Sequence, residues 1–418
     1  MKSILFVTRH TPLPWEDGAG AYLHDLARFL AGRGFRVDVL WLAPPDQLRW
    51  QKWWRLPAAF DASVRLLLPG AVRCGRLYIF PAMIWYPFKA RALHRLRQLL
   101  AAVGFRRPSR PAPRTAEPAR PWMSAPSAAE FALVAKQVLS LRPAAVVASY
   151  AWLCPIFTLP ALQSAQHICL AHDVAWQRAK IVAAEAGAGA LASITREDEA
   201  GWLASARTII AISEADAVEL RSLAPAASVL VAAKACAPPA ELPPGSDLAT
   251  PRLLFVGSGN IFNTAGLTWF LLHVWPQVRT AVPGTRLEVC GSIDRTVAHR
   301  PAGVVFHGGV PDLAPFYRAA TVVIVPLLNA SGLNIKLVEA AASGRAIVAS
   351  TVTLAGAPFL RDAVYGADCA ACFVASLVLL LTDPVANSMA ADAALASVRQ
   401  HLDPAACYGP LSERLRVA

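Results

Sequence analysis

The chain has 418 residues, of which 55% are apolar and 16% charged, and its formal net charge is +12. That length exceeds what a single ordinary core organises, and that composition excludes an intrinsically disordered chain, so two compact domains are expected. No run of about 18 apolar residues is free of charge or proline, and the opening Met1–His10 holds too short an apolar stretch for a signal peptide, so neither a spanning helix nor a secretory leader is expected.

Ser3–Thr8 reads as an apolar strand, followed by a Pro/Gly loop from Thr11 to Gly20. Apolar residues at 22, 23, 26, 29 and 30 have the helical period and predict a helix from Tyr22 to Ala31, stopped at the Gly32/Gly34 pair. Arg36–Leu42 is the next strand, so the chain opens with a βαβ unit whose Gly-bearing loop lies at the first strand's carboxyl end. Residues 49–110 then hold 13 Lys/Arg and a single acid, Asp61, and 13 − 1 accounts for the whole +12. Trp, Tyr and Phe are interleaved with these cations, and Phe88, Leu93, Leu96, Leu100 and Val103 form part of one helical stripe. Phe105–Ser127, rich in Pro, Arg and Ala, reads as an extended solvated loop.

The alternation resumes with strands at Ala144–Tyr150, His167–Ala171 and Thr208–Ile212, after which Ser213 is placed to cap a helix over Glu214–Leu223. Pro238, Pro239, Pro243, Pro244 and Pro251 mark a linker. The expected domains are therefore 1–236, carrying a basic aromatic insert at 49–127, and 251–400, joined by 237–250. A terminal segment, 401–418, is expected to pack back on the first domain. The second domain repeats the rhythm with Arg252–Val256, a helix near Leu267–Val278, Arg286–Cys290 and Val304–Phe306.

The eight cysteines are scattered, and the lone Cys369-x-x-Cys372 has no second pair or nearby histidine, so these residues read as small core side chains in a reducing cytoplasm. The nine histidines do not cluster and no acidic metal site appears, so no metal or other cofactor is expected.

Residues 321–350 carry the sharpest signal. An apolar strand, Thr321–Pro326, leads into a polar turn at Ser331–Asn334, a short helix with Lys336 and Glu339, a stop at Gly344, and a further strand at Ala346–Ser350. Such a βαβ unit binds ligands at the carboxyl ends of its strands, and its turn offers backbone N–H groups to an anion. Lys336 and Glu339 lie three apart and so neighbour each other, a spacing that fits a surface ion pair as well as a ligand site.

Taken with Phe255-Val-Gly-Ser258, Asn263, Trp269-Phe270, the Gly308–Tyr317 stretch, the Gly332-x-x-x-Lys336-x-x-Glu339-Ala340 block and the Val374–Pro384 ending, the chain resembles the retaining glycosyltransferases of family 4. In the first half the Pro14/Gly18/Gly20 loop, His172-Asp173 and Ile210–Ser213 match as well. The resemblance implies an α/β GT-B fold, two Rossmann-like doubly wound domains facing a central cleft, with a nucleotide-diphosphate sugar held mainly by the second. It implies that Glu339 bonds the ribose hydroxyls and that His172 faces the donor sugar as an orienting group. Donor-binding roles fall on Gly18, Gly20, Gly257, Ser258, Ser331, Gly332, Leu333 and Asn334. Two departures stand out: Ser331 replaces a frequent glutamate, and Ser258, Gly259, Asn260 and Thr264 stand where many members carry a phosphate-neutralising Arg and Lys. Lys336 is the candidate for the missing counter-charge.

The expected activity is transfer of a sugar, with retention, to a glycan or lipid-linked acceptor in cell-surface polysaccharide or glycoconjugate synthesis. The basic aromatic stretch 49–110 suits an anionic membrane surface, giving a cytoplasmic protein peripheral on the inner face of the cell membrane. No fold for nucleic-acid binding accompanies the charge. A same-fold nucleotide-sugar epimerase, and a catalytically silent nucleotide-sugar-binding or membrane-scaffold protein, are the rival readings.

Overall fold

The computed structural model describes residues 2–13, 18–42, 52–81, 123–186, 194–236, 238, 248–310, 312–330 and 332–417. Pro14, Ser331, the expected stripe at 88–103 and most of the expected linker 237–250 lie outside the described residues. The chain forms two compact units, Met1–Ile168 and Cys169–Ala418.

The first unit opens with β1 (Ser3–Thr8), α1 (Gly18–Gly32) and β2 (Arg36–Trp41). The helix begins four residues before the expected Tyr22, so Gly18 and Gly20 form its first turn and are not loop residues. Short strands β3 (Trp53–Arg55), β4 (Val64–Leu67), β5 (Val72–Cys74) and β6 (Leu77–Ile79) follow. Helix α2 (Ala128–Leu141) starts at a capping box in which Ser127 and Glu130 satisfy each other's backbone N–H groups. Burial alone would push the Glu130 carboxyl up, but Arg9 and Ser127 bond it and hold it at about 2. β7 (Ala145–Ser149) and β8 (Gln166–Ala171) complete this part, and every residue of β7 is buried, as in a strand covered on both faces.

The second unit continues with α3 (Ala175–Ala186), α4 (Arg196–Leu203), β9 (Thr208–Ala211), α5 (Glu214–Leu223) and β10 (Ser228–Val231). Ser213 caps α5 as expected, accepting the Asp216 N–H at 3.1 Å. Then come β11 (Arg252–Val256), α6 (Ile261–His273), α7 (Trp275–Ala281), β12 (Arg286–Cys290), β13 (Val304–Gly308), α8 (Ala314–Ala319) and β14 (Val322–Val325). The expected helix near Leu267–Val278 is two helices, because Pro276 cannot donate an i→i−4 bond and starts a new one. The chain closes with α9 (Ile335–Ala342), β15 (Ala346–Ala349), α10 (Thr351–Ala355), β16 (Tyr365–Gly366), α11 (Ala370–Thr382), α12 (Pro384–His401) and α13 (Pro404–Val417).

Two large sheets result, a seven-stranded one of order β10-β9-β8-β7-β1-β2-β4 and a six-stranded one of order β13-β12-β11-β14-β15-β16. β1 pairs in parallel with β2 and β7, and β11 with β12 and β14, so each sheet is doubly wound about its first strand. Under the six-stranded sheet, Phe255, Phe270, Trp275, Val322, Ile324 and Phe373 share one buried cluster. α13 is tied to the β10 region: Arg414 donates to Ser228 Oγ at 2.8 Å, and the Tyr408 hydroxyl accepts the Ala235 N–H at 2.8 Å.

Cys369 and Cys372 correct the core reading: both are exposed and joined in a disulfide at the first turn of α11. Side chains three apart on a first turn face each other, with Cα atoms here 5.1 Å apart, and the Cys372 N–H also caps onto Cys369 Sγ. No single described helix is long and apolar enough to cross a bilayer.

Candidate active site

The site is assembled at two βα turns of the six-stranded sheet. After β11 the chain turns at Gly257–Asn260. Gly257 N–H bonds the Cys290 carbonyl at 2.8 Å, and the Gly259 N–H bonds Ser292 Oγ at 3.2 Å, which fixes the turn against the end of β12. Asn260 caps α6 by accepting the Asn263 N–H at 2.9 Å. Asn263, only 2% exposed, then donates its amide to the Ser258 carbonyl at 2.8 Å and to Ser258 Oγ at 3.3 Å. Thr264 pairs with Thr296 at 2.8 Å. The polar groups that stand where cations were sought are thus mostly engaged with one another. An open groove starts from this turn and runs over α6, lined by Gly259, Ile261, Thr264, Thr268, Trp269 and Thr296.

The second turn follows β14. Gly332 takes φ +64°, a left-handed conformation in which a side chain is strained, and Leu333 is buried. A methyl group on Gly332 would lie 3.5 Å from Asp216 Oδ2, the His172 carbonyl and Ile212 Cγ2. Asn334 caps α9, accepting the Leu337 N–H at 3.2 Å. One orphan N–H of that helix start is therefore satisfied internally.

Lys336 joins the two turns. Its Nζ donates to Asn263 Oδ1 at 3.0 Å, so cation, amide and Ser258 form one chain of hydrogen bonds. Burial lowers the Lys336 pKa to about 8, against the opposing effect of Glu339. This half-buried ammonium is no solvated surface lysine, and it sits between the N-termini of α6 and α9. Glu339 lies one turn further along α9, where the 3.6-residue repeat puts it on the Lys336 side. Its charge also acts on Tyr317, whose buried hydroxyl has no hydrogen-bond partner among the described residues and is raised well above the usual phenol value, first by burial and then by Glu339.

His172 follows β8 and is 8% exposed. Behind it, Asp173 accepts from Arg178 at 2.6 Å, and Glu199 caps α3 through the Ala175 and Trp176 N–H groups at 3.0 and 2.9 Å. Burial pushes Glu199 up to about 7, and burial pushes Asp216 up to about 6, with Asp173 adding to both.

The structure therefore brings His172, Gly332 and Asp216 together, and links Ser258 to Lys336 through Asn263. Gly257, Leu333 and Asn334 flank these as turn and cap residues. Gly18 and Gly20 open α1 in the other unit. Sequence reasoning missed Asp216 and Gly356. A methyl on Gly356 would overlap the Gly332 carbonyl oxygen, so this C-cap glycine of α10 sets the position of the Gly332 turn. No local pattern marks it, because its partner is 24 residues away in sequence.

Residues 250–383 match the family model described as Glycosyl transferases group 1. No curated protein matches the chain in sequence. Among solved structures, the sucrose-phosphate synthase of Thermosynechococcus elongatus is 15% identical with a TM-score of 0.66, covering 100% of this chain and 99% of that one. A TarM variant from S. aureus, in complex with Fondaparinux, alpha-GlcNAc-glycerol and UDP, is 9% identical with a TM-score of 0.68, covering 99% of this chain and 100% of that one. Anabaena HepE in complex with UDP-glucose is 13% identical with a TM-score of 0.60, covering 100% of both chains. Two Rossmann-like parallel sheets, the likeness to GT-B glycosyltransferase structures and the match of 250–383 to the group 1 model identify the fold to which these turns belong.

Proposed function

We propose that the protein moves a sugar, with retention, from a nucleotide-diphosphate donor to a glycan or lipid-linked acceptor in cell-surface polysaccharide or glycoconjugate synthesis. The observation that carries this reading is the Lys336–Asn263–Ser258 chain between two helix N-termini, with Glu339 one turn away. A diphosphate satisfies this arrangement physically: it answers the N–H groups that a helix start leaves without an intrahelical partner, and it restores the full charge of a lysine that burial has depressed to about 8. Glu339 accepts the two ribose hydroxyls, since one carboxylate receives two hydrogen bonds at once.

The left-handed Gly332 lets the backbone approach the donor, and His172 with the Asp216 carboxylate borders the same turn, where they orient the sugar. The acceptor hydroxyl then attacks the anomeric carbon on the face that the nucleotide leaves, and its proton passes to the departing phosphate oxygen. Catalysis rests on positioning and on stabilising the charge that develops on the diphosphate. This chemistry asks for no metal. The acceptor side falls to the first domain, whose basic aromatic stretch 49–110 would hold the protein on the inner face of the cell membrane. A screen of UDP-, GDP- and dTDP-sugars by calorimetry tests the donor class, and proton NMR of the anomeric product tests retention. An inverted product, or donor turnover to an epimer without acceptor, contradicts the proposal.

A further inference from the structure

Strands β3, β6 and β5 form a separate three-stranded antiparallel sheet whose register sorts its side chains unusually. Trp53, Ile79 and Val72 stand opposite one another, as do Arg55, Leu77 and Cys74, and between these rows lies Trp54–Tyr78–Arg73. Directly opposite residues share a face and successive residues alternate, so the first two rows form one face and the middle row the other. The middle row is the inward face: Tyr78 is 1% exposed, donates its hydroxyl to the Leu66 carbonyl at 2.7 Å, and packs on Trp54. The outward face is largely apolar as well. Trp53 is 63% and Val72 57% exposed, Ile79 and Leu77 are half-buried, and Arg55 and Cys74 are exposed beside them. An antiparallel sheet with one solvated face ordinarily turns polar residues outward, so four apolar side chains on the outward face are unexpected.

Within 49–110 the charge is almost all of one sign. Arg55 stands on the face, Lys52 and Arg76 adjoin its strands, Arg73 lies in the inward row over the Tyr78 ring, and Asp61, the one acid in 49–110, accepts from Ser63. Arg73 donates to the Gly75 carbonyl at 2.7 Å, and Arg76 to the Leu56 and Phe60 carbonyls at 3.2 and 2.9 Å. Carbonyl acceptors fix these guanidinium groups without cancelling their charge.

We infer that the outward face of this small sheet is the surface that seats the protein on an anionic lipid bilayer. The inference rests on the peripheral-membrane reading above and names the side chains that carry it. Size decides between a bilayer and a protein partner. Three-residue strands at ordinary spacing make a face about 10 Å on each side. That is far below the roughly 800 Å² per partner of a stable protein interface. It is enough for one indole and a few aliphatic groups to enter the headgroup boundary while Lys52 and Arg55 meet lipid phosphates.

The test is co-sedimentation of the full chain with vesicles of phosphatidylcholine, alone or with about one third phosphatidylglycerol. The wild type should bind the anionic vesicles only. The double variant Trp53→Ser/Val72→Ser should bind them at least tenfold more weakly, Arg55→Ser about fivefold more weakly, and Trp53→Phe nearly as well as wild type. Leu139→Ser, at an exposed leucine of α2, is the control that should bind unchanged. Circular dichroism melting of each variant separates lost binding from lost folding, and Arg55→Ser keeps the test decisive if the double variant unfolds, since wild-type binding by it would then overturn this face. Wild-type binding to anionic vesicles that the folded double variant shares would overturn this face and leave the broader membrane reading standing. No wild-type binding to either vesicle overturns both. A lipid-free dimer abolished by the double variant, with vesicle binding intact, would make the face a protein interface and overturn the inference.

Discussion

Positive charge is used in opposite ways at the two βα turns around Lys336 and at the small sheet. At the turns, Lys336 is half-buried, wired to a neutral amide, and depressed to about 8 by the loss of water. At the sheet, Arg55 is exposed beside apolar groups, and Arg73 and Arg76 give their hydrogen bonds to carbonyl oxygens. The first arrangement suits one multiply charged ligand in a fixed position, because a desolvated cation gains most from a partner that reaches it. The second suits a diffuse anionic surface, where each exposed cation contributes modestly and salt screens it.

The contrast breaks most sharply at Glu339. Two carboxylate bonds at about 1.5–3 kcal/mol each predict that Glu339→Ala weakens donor binding by roughly 100-fold or more. Calorimetry with the preferred donor reads this, and vesicle binding should stay unchanged. Gly356→Ala comes next. The added methyl displaces the Gly332 carbonyl, an overpacking that costs about 1–3 kcal/mol. Donor affinity should fall by roughly tenfold or more, with a lower melting temperature, and an unaltered affinity would show that this turn does not meet the donor.

Lys336→Ala should weaken donor binding at least about tenfold, the size expected for one charge-assisted contact. The same lysine predicts a pH dependence. Its free ammonium is lost as pH rises through about 8, so the donor Kd should climb above that pH. Lys336→Arg should flatten the climb, because guanidinium stays charged. A Kd that is level across pH 7–9 in the wild type would contradict the assignment.

The smallest effect separates charge from packing behind His172. Glu199 is raised from 4.5 to about 7 in the folded state, so the native protein binds an extra proton in that window. Stability contributed by this group is therefore greatest below about 4.5 and declines as pH rises towards 7. Urea titrations of Glu199→Gln should lose that part of the pH slope. Glu199→Ala, which strands the Ala175 and Trp176 N–H groups, should be about 2 kcal/mol less stable than Glu199→Gln at every pH.

What could be read from the chain followed the range of the interactions. The helix over Glu214–Leu223 with its Ser213 cap, and the strand–turn–helix–strand of 322–349, depend on neighbours within a few residues, and the structure reproduces them. Lys336 was legible as a candidate cation, but its partner Asn263 is 73 residues away and is set by how α6 meets α9. Gly356 and Asp216 were hidden for the same reason. The Cys369–Cys372 pair was misread because scattered cysteines in apolar surroundings suggested burial, whereas a helix N-terminus left both exposed. The small sheet escaped notice because strands of three residues are too short to show a period. Only the pairing register reveals which side chains share its outer face.

The central claim is that the turns at Gly257–Asn263 and Gly332–Glu339 hold a nucleotide-diphosphate sugar. Isothermal titration of the wild type and of Glu339→Ala with UDP-, GDP- and dTDP-sugars tests it most directly. The account predicts saturable binding of at least one of these donors by the wild type and its loss in the variant. Binding of none of them, or equal binding by both proteins, would contradict it.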